Sequence, residues 1–165
     1  MKKALSLLLA VLTIGTVLLT ACGGPNYKTD EAPSSLMQKA LQKVQGDPSD
    51  YTEPESDFIP RNIGELNGLT DSSLRLHKVS SNFSEAGIFR LEDGDKAKET
   101  EKAVRAYIEK QQDYLKDFLS QYEAAEVEKI NNAQVRTYGV YVVYAFLTKS
   151  DATAFFGEVE AALKA

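Results

Sequence analysis

Cys22 carries the most specific chemistry in this sequence, and it is the only cysteine. It ends the segment Leu19-Thr20-Ala21-Cys22, behind an uncharged run from Ala4 to Thr20 that is rich in Leu, Val and Ala. Lys2 and Lys3 precede that run. A basic start, an apolar stretch and small residues at the junction mark an export signal. A cysteine at the cut adds a thiol that takes a diacylglyceryl group through a thioether. Its freed amine is then acylated, with palmitate for example. Two acyl chains on one residue anchor stably, where one binds only marginally. Cleavage is therefore expected between Ala21 and Cys22, with residues 1–21 as signal peptide. The apolar run of about 17 residues is short for a retained transmembrane helix. A buried core helix rarely begins at the second residue with two lysines. Acylation also accounts for an unpaired cysteine in an exported chain.

The other reactive residues form no recognisable constellation. His77 is the only histidine, so a multi-histidine metal site is excluded and no thiol remains to assist it. No Gly-x-Ser-x-Gly elbow surrounds any serine. Alternation with Leu76 points His77 to solvent and to a surface or structural role. Asp47, Asp50, Glu53, Glu55 and Asp57 crowd one loop, but without the alternating acids, central Gly and final Glu of a calcium loop. Glu99, Glu101, Glu109 and Asp113 raise a paired-carboxylate reading for glycoside chemistry. Helical spacing sets them instead among Lys102, Lys110 and Lys116, as on an exposed charged face. The glycine pairs lack the setting of a phosphate-binding loop. No catalytic residue, metal or cofactor is expected, and the chain is read as a non-enzymatic domain.

Tyr138, Tyr141 and Tyr144 are the most interesting binding candidates. On a strand, Tyr141 shares a face with Val143 and Ala145, while Tyr144 goes with Val142 and Phe146. One face must meet the helices. If the other is open, Arg136, Tyr138 and Tyr141 form a binding face suited to an envelope protein partner. If a further element covers it, they belong to the core, which is the favoured reading. A tyrosine-lined pocket between sheet and helices, holding a small ligand, is the alternative function.

Charge narrows the partners. The chain has 19 Lys and Arg against 24 Asp and Glu. Loss of residues 1–21 removes Lys2 and Lys3, leaving seventeen basic against twenty-four acidic side chains, a net charge of −7. No basic stripe appears, so nucleic-acid binding is disfavoured, and an anionic membrane surface repels the body.

The elements that must position these residues are legible in outline. Residues 22–35 read as the lipidated cysteine and a flexible polar tether with two prolines, reaching about 40 Å when extended. Residues 36–165 read as one α+β domain. A short helix is expected over 36–45, with Ser34 or Ser35 as cap and Gly46 as stop. Residues 46–60 hold five acids, no base and three prolines, and read as a solvated loop. One helical turn is expected near Ile63 and Leu66. Leu74 to Val79 and Ile88 to Leu91 read as a hairpin.

Asp93-Gly94-Asp95 caps a long helix expected over 95–122, whose stripe runs Ala97, Val104, Ile108, Gln111, Leu115, Phe118, Tyr122. Residues 133–138 and 140–147 read as a second hairpin. A two-residue turn at Tyr138-Gly139 sets Val135 against Val142 and Arg136 against Tyr141, within reach of a cation–π contact. Ser150 or Asp151 caps a final helix carrying Phe155, Phe156 and Val159. The order is α, then ββαββα: a small antiparallel sheet of about four strands packed by a long helix and a C-terminal helix.

Several segments carry a family resemblance. They are Leu66-Asn67-Gly68-Leu69, Glu85 to Leu91, the helix with Tyr107 and Ile108, Ala133-Gln134-Val135, Gly139-Val140-Tyr141-Val142 and Thr148 to Asp151. From about Ile63 to Leu163 the chain resembles the bacterial family known as domain of unknown function 4358. Tyr138 stands where that family often has Asn. The resemblance implies a small lipoprotein on the outer face of the cell membrane and the α+β architecture above. It carries over no catalytic residue.

Overall fold

The computed structural model describes residues 26–165. Cys22 and residues 1–21, expected to be a signal segment, lie outside them. The α+β class and antiparallel sheet are as the sequence implies, with a fifth strand added. The sheet order is β1-β2-β3-β5-β4, with β1 at Tyr51–Thr52, β2 at Leu69–His77, β3 at Glu85–Leu91, β4 at Gln134–Tyr138 and β5 at Tyr141–Phe146. Among the described residues four α-helices cover it: α1 at Pro33–Leu41, α2 at Gly94–Leu115, α3 at Ala124–Asn131 and α4 at Lys149–Leu163.

The period of two along the central strands divides the core into two layers. Ala86, Ile88, Tyr141, Val143 and Ala145 face α1 and α4, with Leu36, Met37, Phe155 and Phe156 packed on them. Phe89, Val142, Tyr144 and Phe146 face the other way, onto Val104, Tyr107 and Ile108 of α2 and Ile130 of α3. Every residue of β5 is buried, as a central strand sandwiched between helical layers requires.

Several local expectations change. Residues 26–31, expected within a flexible tether, dock on the domain. Asn26 O accepts from Ala165 N at 3.1 Å, Lys28 N donates to Leu163 O at 2.8 Å, and Glu31 O accepts from the Tyr141 hydroxyl at 2.7 Å. Tyr27 bridges to Lys164 and sets its ring edge-on to Tyr138. Pro33 opens α1 in place of a serine cap, which its fixed φ suits.

The acidic loop contains β1, with Tyr51 opposite His77, and a single wide helical turn at Ile59–Ile63. The long helix ends at Leu115, not near 122. Its 22 residues already run about 33 Å, past strands about 20 Å long. Phe118 would find no sheet beneath it and is 46% exposed. The chain reverses, makes one tight turn at Leu119–Gln121, and returns as α3.

The turn of the second hairpin moves by one residue, and the strand partners move by two. Tyr138 pairs with Tyr141 and Arg136 with Val143, so the turn is Gly139-Val140. Gly139 has φ +61, and this register relieves Tyr138 of a turn position it suits poorly.

The caps flanking the sheet are well made. Asp93 Oδ1 accepts from Asp95 N at 2.9 Å and from Lys96 N at 2.8 Å, starting α2. Thr148, rather than Ser150 or Asp151, caps α4, and its hydroxyl accepts from Asp151 N at 3.3 Å.

Candidate functional site

Helices α1 and α4 cover the sheet face on which Tyr138 and Tyr141 lie, the favoured of the two readings of Arg136, Tyr138 and Tyr141. Tyr141 is fully buried and Tyr138 is 5% exposed, both under the α1–α4 layer. Arg136 stays at the surface with its guanidinium 4.4 Å from the Phe156 ring centre, so the cation–π partner is Phe156 and not Tyr141. Tyr144 points to the other layer, and there it takes part in the site.

That site lies at the far end of the sheet from the Gly139 turn, where β2 ends and β3 begins. Glu85 opens β3 opposite Phe146. Glu85, Gly87 and Phe89 share the inner face toward α2. Gly87 is paired with Tyr144, and a Cβ there would run into the Tyr144 ring. The glycine therefore lets Tyr144 lie flat across the strand, stacked on Phe89 at 5.9 Å. So placed, the Tyr144 hydroxyl donates to Glu85 Oε1 at 2.5 Å. From α2, the Tyr107 hydroxyl meets both carboxyl oxygens, at 3.0 and 3.1 Å.

Glu85 keeps partial exposure along its length, but its carboxyl group is enclosed by protein. That burial pushes its pKa up to about 7, against the opposing pull of the Tyr144 and Tyr107 hydroxyls. The same burial, with the Glu85 charge, holds both phenols protonated and keeps them donors.

Glu85 is also one of the residues lining a cleft of about 360 Å³. Its walls include Phe83, Tyr107, Tyr114, Leu115, Ile130 and Phe146, with Gln111 and His77 at its sides. Tyr114, at the rim, is 71% exposed. The hairpin loop forming one wall is fastened to α3. Lys129 is nearly buried and donates to Glu126 Oε1 at 2.6 Å and to Asn82 Oδ1 at 2.8 Å. Glu126 Oε2 accepts from Phe83 N at 2.7 Å. A second, more polar pocket of about 260 Å³ lies across the hairpin, lined by Tyr51, His77, Lys129 and Asp151.

The remaining sequence candidates are dispersed. His77 packs edge-on against Tyr51, and its Nδ1 accepts from Val79 N at 3.1 Å. Among the described residues no serine hydroxyl bonds to it. Asp47 accepts from Ser49 N at 2.8 Å, Glu53 pairs with Arg75 at 2.9 Å, and Glu55 and Asp57 both reach Arg61. Glu99 pairs with Lys96, Asp113 with Lys116, and Glu101 accepts from Arg105 and Thr137. Glu101 is held below the usual range, first by Arg105 and then by Thr137. Glu109 stands exposed. No group of three or more His, Cys, Asp or Glu side chains able to hold a metal occurs among the described residues. No helix of the described residues is long and apolar enough to cross a membrane.

Sequence reasoning missed Glu85, although a signal was present. A carboxylate in phase with Gly87 and Phe89 sits on the inward face of its strand, where charge is rare.

No curated protein and no solved structure matches this chain. A family model described as a domain of unknown function, DUF4358, matches residues 47–147. The match begins earlier than the resemblance suggested, takes in β1, and ends before α4. It spans Glu85, Tyr107, Tyr144 and the residues lining the cleft. Covering more than half of the sequence, it shows that the chain belongs to the DUF4358 family.

Proposed function

We propose that this protein is an extracytoplasmic lipoprotein, held to the cell membrane by acyl chains on Cys22, that binds a small molecule in the cleft that Glu85 lines. The observation that carries the reading is the cleft itself. Its volume falls within the range of small-ligand sites, its walls are mainly aromatic and aliphatic, and it holds one enclosed carboxyl group with fixed partners. A polar group held by two rigid donors, in an apolar surround, orients a ligand without moving. Catalysis has less support, because neither Glu85 nor His77 hydrogen-bonds to a Ser, Thr, Cys or Lys side chain among the described residues.

The attachment geometry favours the same reading. Asn26 is four positions after Cys22 in the sequence, a reach of at most about 14 Å. Asn26 and Tyr27 dock beside the C-terminus and the Gly139 turn. The cleft is at the opposite end of β5, about 20 Å along the strand. An anchor at Cys22 would thus hold the Gly139 end toward the bilayer and turn the cleft to solution.

The test is a fragment library of anionic, cationic and neutral compounds, followed by NMR on the full chain in detergent. Compounds that shift the Phe83, Glu85 and Tyr107 resonances, and lose the effect in Gln111→Trp, support the reading. If no compound of any charge moves those resonances, the cleft is not a binding site.

A further inference from the structure

Glu85 is the only carboxylate lining the cleft, and no Lys or Arg lines it. The nearest ammonium described above, that of Lys129, is turned to Glu126 and Asn82. The cleft thus offers an anion with no protein cation to answer it. The carboxylate has acceptor capacity for about four hydrogen bonds. Tyr144 uses one site on Oε1, and Tyr107 shares a single proton between both oxygens. These two hydroxyls leave acceptor capacity on Glu85, which lines the cleft.

The walls add a second feature. Phe83, Tyr107, Tyr114 and Phe146 bring aromatic rings around the same space, with Tyr107 5.9 Å from Phe146. Ring faces carry negative potential and attract alkylated ammonium groups, most strongly where water is excluded. Tyr114 leaves an aromatic ring mostly in water at the rim, available to close over such a group.

From this juxtaposition of one unanswered carboxylate and four aromatic side chains, we infer that the cleft binds a small organic ammonium compound. The proposal rests on the cleft being a ligand site, as put forward above. It commits to a free solute, since an anchor at Cys22 would turn the cleft from the lipid. The cationic head meets Glu85 and the rings, and the apolar remainder lies along Leu115 and Ile130.

Binding should strengthen as pH rises through the range in which Glu85 ionises. The titratable groups bonded to Glu85 are Tyr107 from α2 and Tyr144 from β5, and His77 from β2 lines the same cleft. The phenols stay protonated, so they do not contribute to the change. Glu85→Gln should therefore abolish the pH dependence of binding.

The experiment is calorimetric titration of the full chain in non-ionic detergent with choline and with its uncharged isostere 3,3-dimethylbutan-1-ol. Choline should bind at least about tenfold more tightly than the alcohol at pH 8, and less tightly at pH 6. In Glu85→Gln the choline preference should disappear while the alcohol still binds. Tyr114→Ala changes a surface side chain, so folding is not at risk, and it should weaken choline about threefold. Equal affinity for choline and alcohol overturns the ammonium assignment and leaves the cleft reading standing. Choline binding that survives unchanged in both variants places the cation elsewhere and overturns it too. If neither probe binds, the ammonium assignment fails, and the fragment library decides the cleft reading separately.

Discussion

Replacing Glu85 with Gln isolates the energetic cost of holding a charge beneath Tyr107 and Tyr144. Gln keeps an acceptor oxygen for the tyrosines and never ionises. The folded carboxyl has its pKa raised from 4.5 to about 7. A raised carboxyl pKa means that the folded state binds the proton more tightly than the unfolded chain. The stabilising effect is therefore complete below about pH 4.5 and is lost as pH rises to about 7. At about 1.4 kcal/mol per pH unit, that interval is worth about 3 kcal/mol. Urea unfolding of both proteins between pH 4 and 8 measures it. The wild type should lose about 3 kcal/mol relative to Glu85→Gln across the interval, with plateaus outside it. A difference that stays constant within about 0.5 kcal/mol would refute the reasoning, because Glu85 would then titrate as an exposed carboxylate does.

Other substitutions probe the supports of the site. Gly87→Ala forces a methyl into the Tyr144 ring and should cost about 2 kcal/mol by overpacking. Urea unfolding checks it, and a loss under about 0.5 kcal/mol would contradict the packing described. Lys129→Met leaves Glu126 and Asn82 without their shared donor. Breaking so enclosed a pair should cost about 3 kcal/mol and speed amide exchange in residues 78–84 before the rest of the sheet. Cys22→Ala should leave an unprocessed precursor that incorporates no labelled palmitate. A mutant of mature size that still carries lipid would overturn the anchor.

Much of this fold could be read from spacing alone. The stripe Ala97, Val104, Ile108 needed only helical periodicity, and Asp93 announced the start of α2. The apolar run in β5 announced a strand covered on both sides, and the tyrosine face is core accordingly. The departures have physical causes that do not lie in local sequence. The end of α2 depends on where the sheet runs out beneath it. Strand β1 is two residues long and exists because β2 offers an edge. The docking of Tyr27 depends on the C-terminus arriving beside it.

The site was the least legible part. Its carboxyl comes from β3, one phenol from β5 and the other from α2, and only the three-dimensional pairing of Gly87 with Tyr144 brings them together. The sequence candidates were sought as clusters, and Glu85 stands alone.

The most direct test of Glu85 as the ligand-facing carboxyl is its own titration, followed by carbon-13 NMR of the side-chain carboxyl in the full chain. In the free protein the midpoint should lie at about 7, and saturating tetramethylammonium should lower it, since a bound cation favours the ionised form. A midpoint near 4.5 that ignores the added cation would contradict the account.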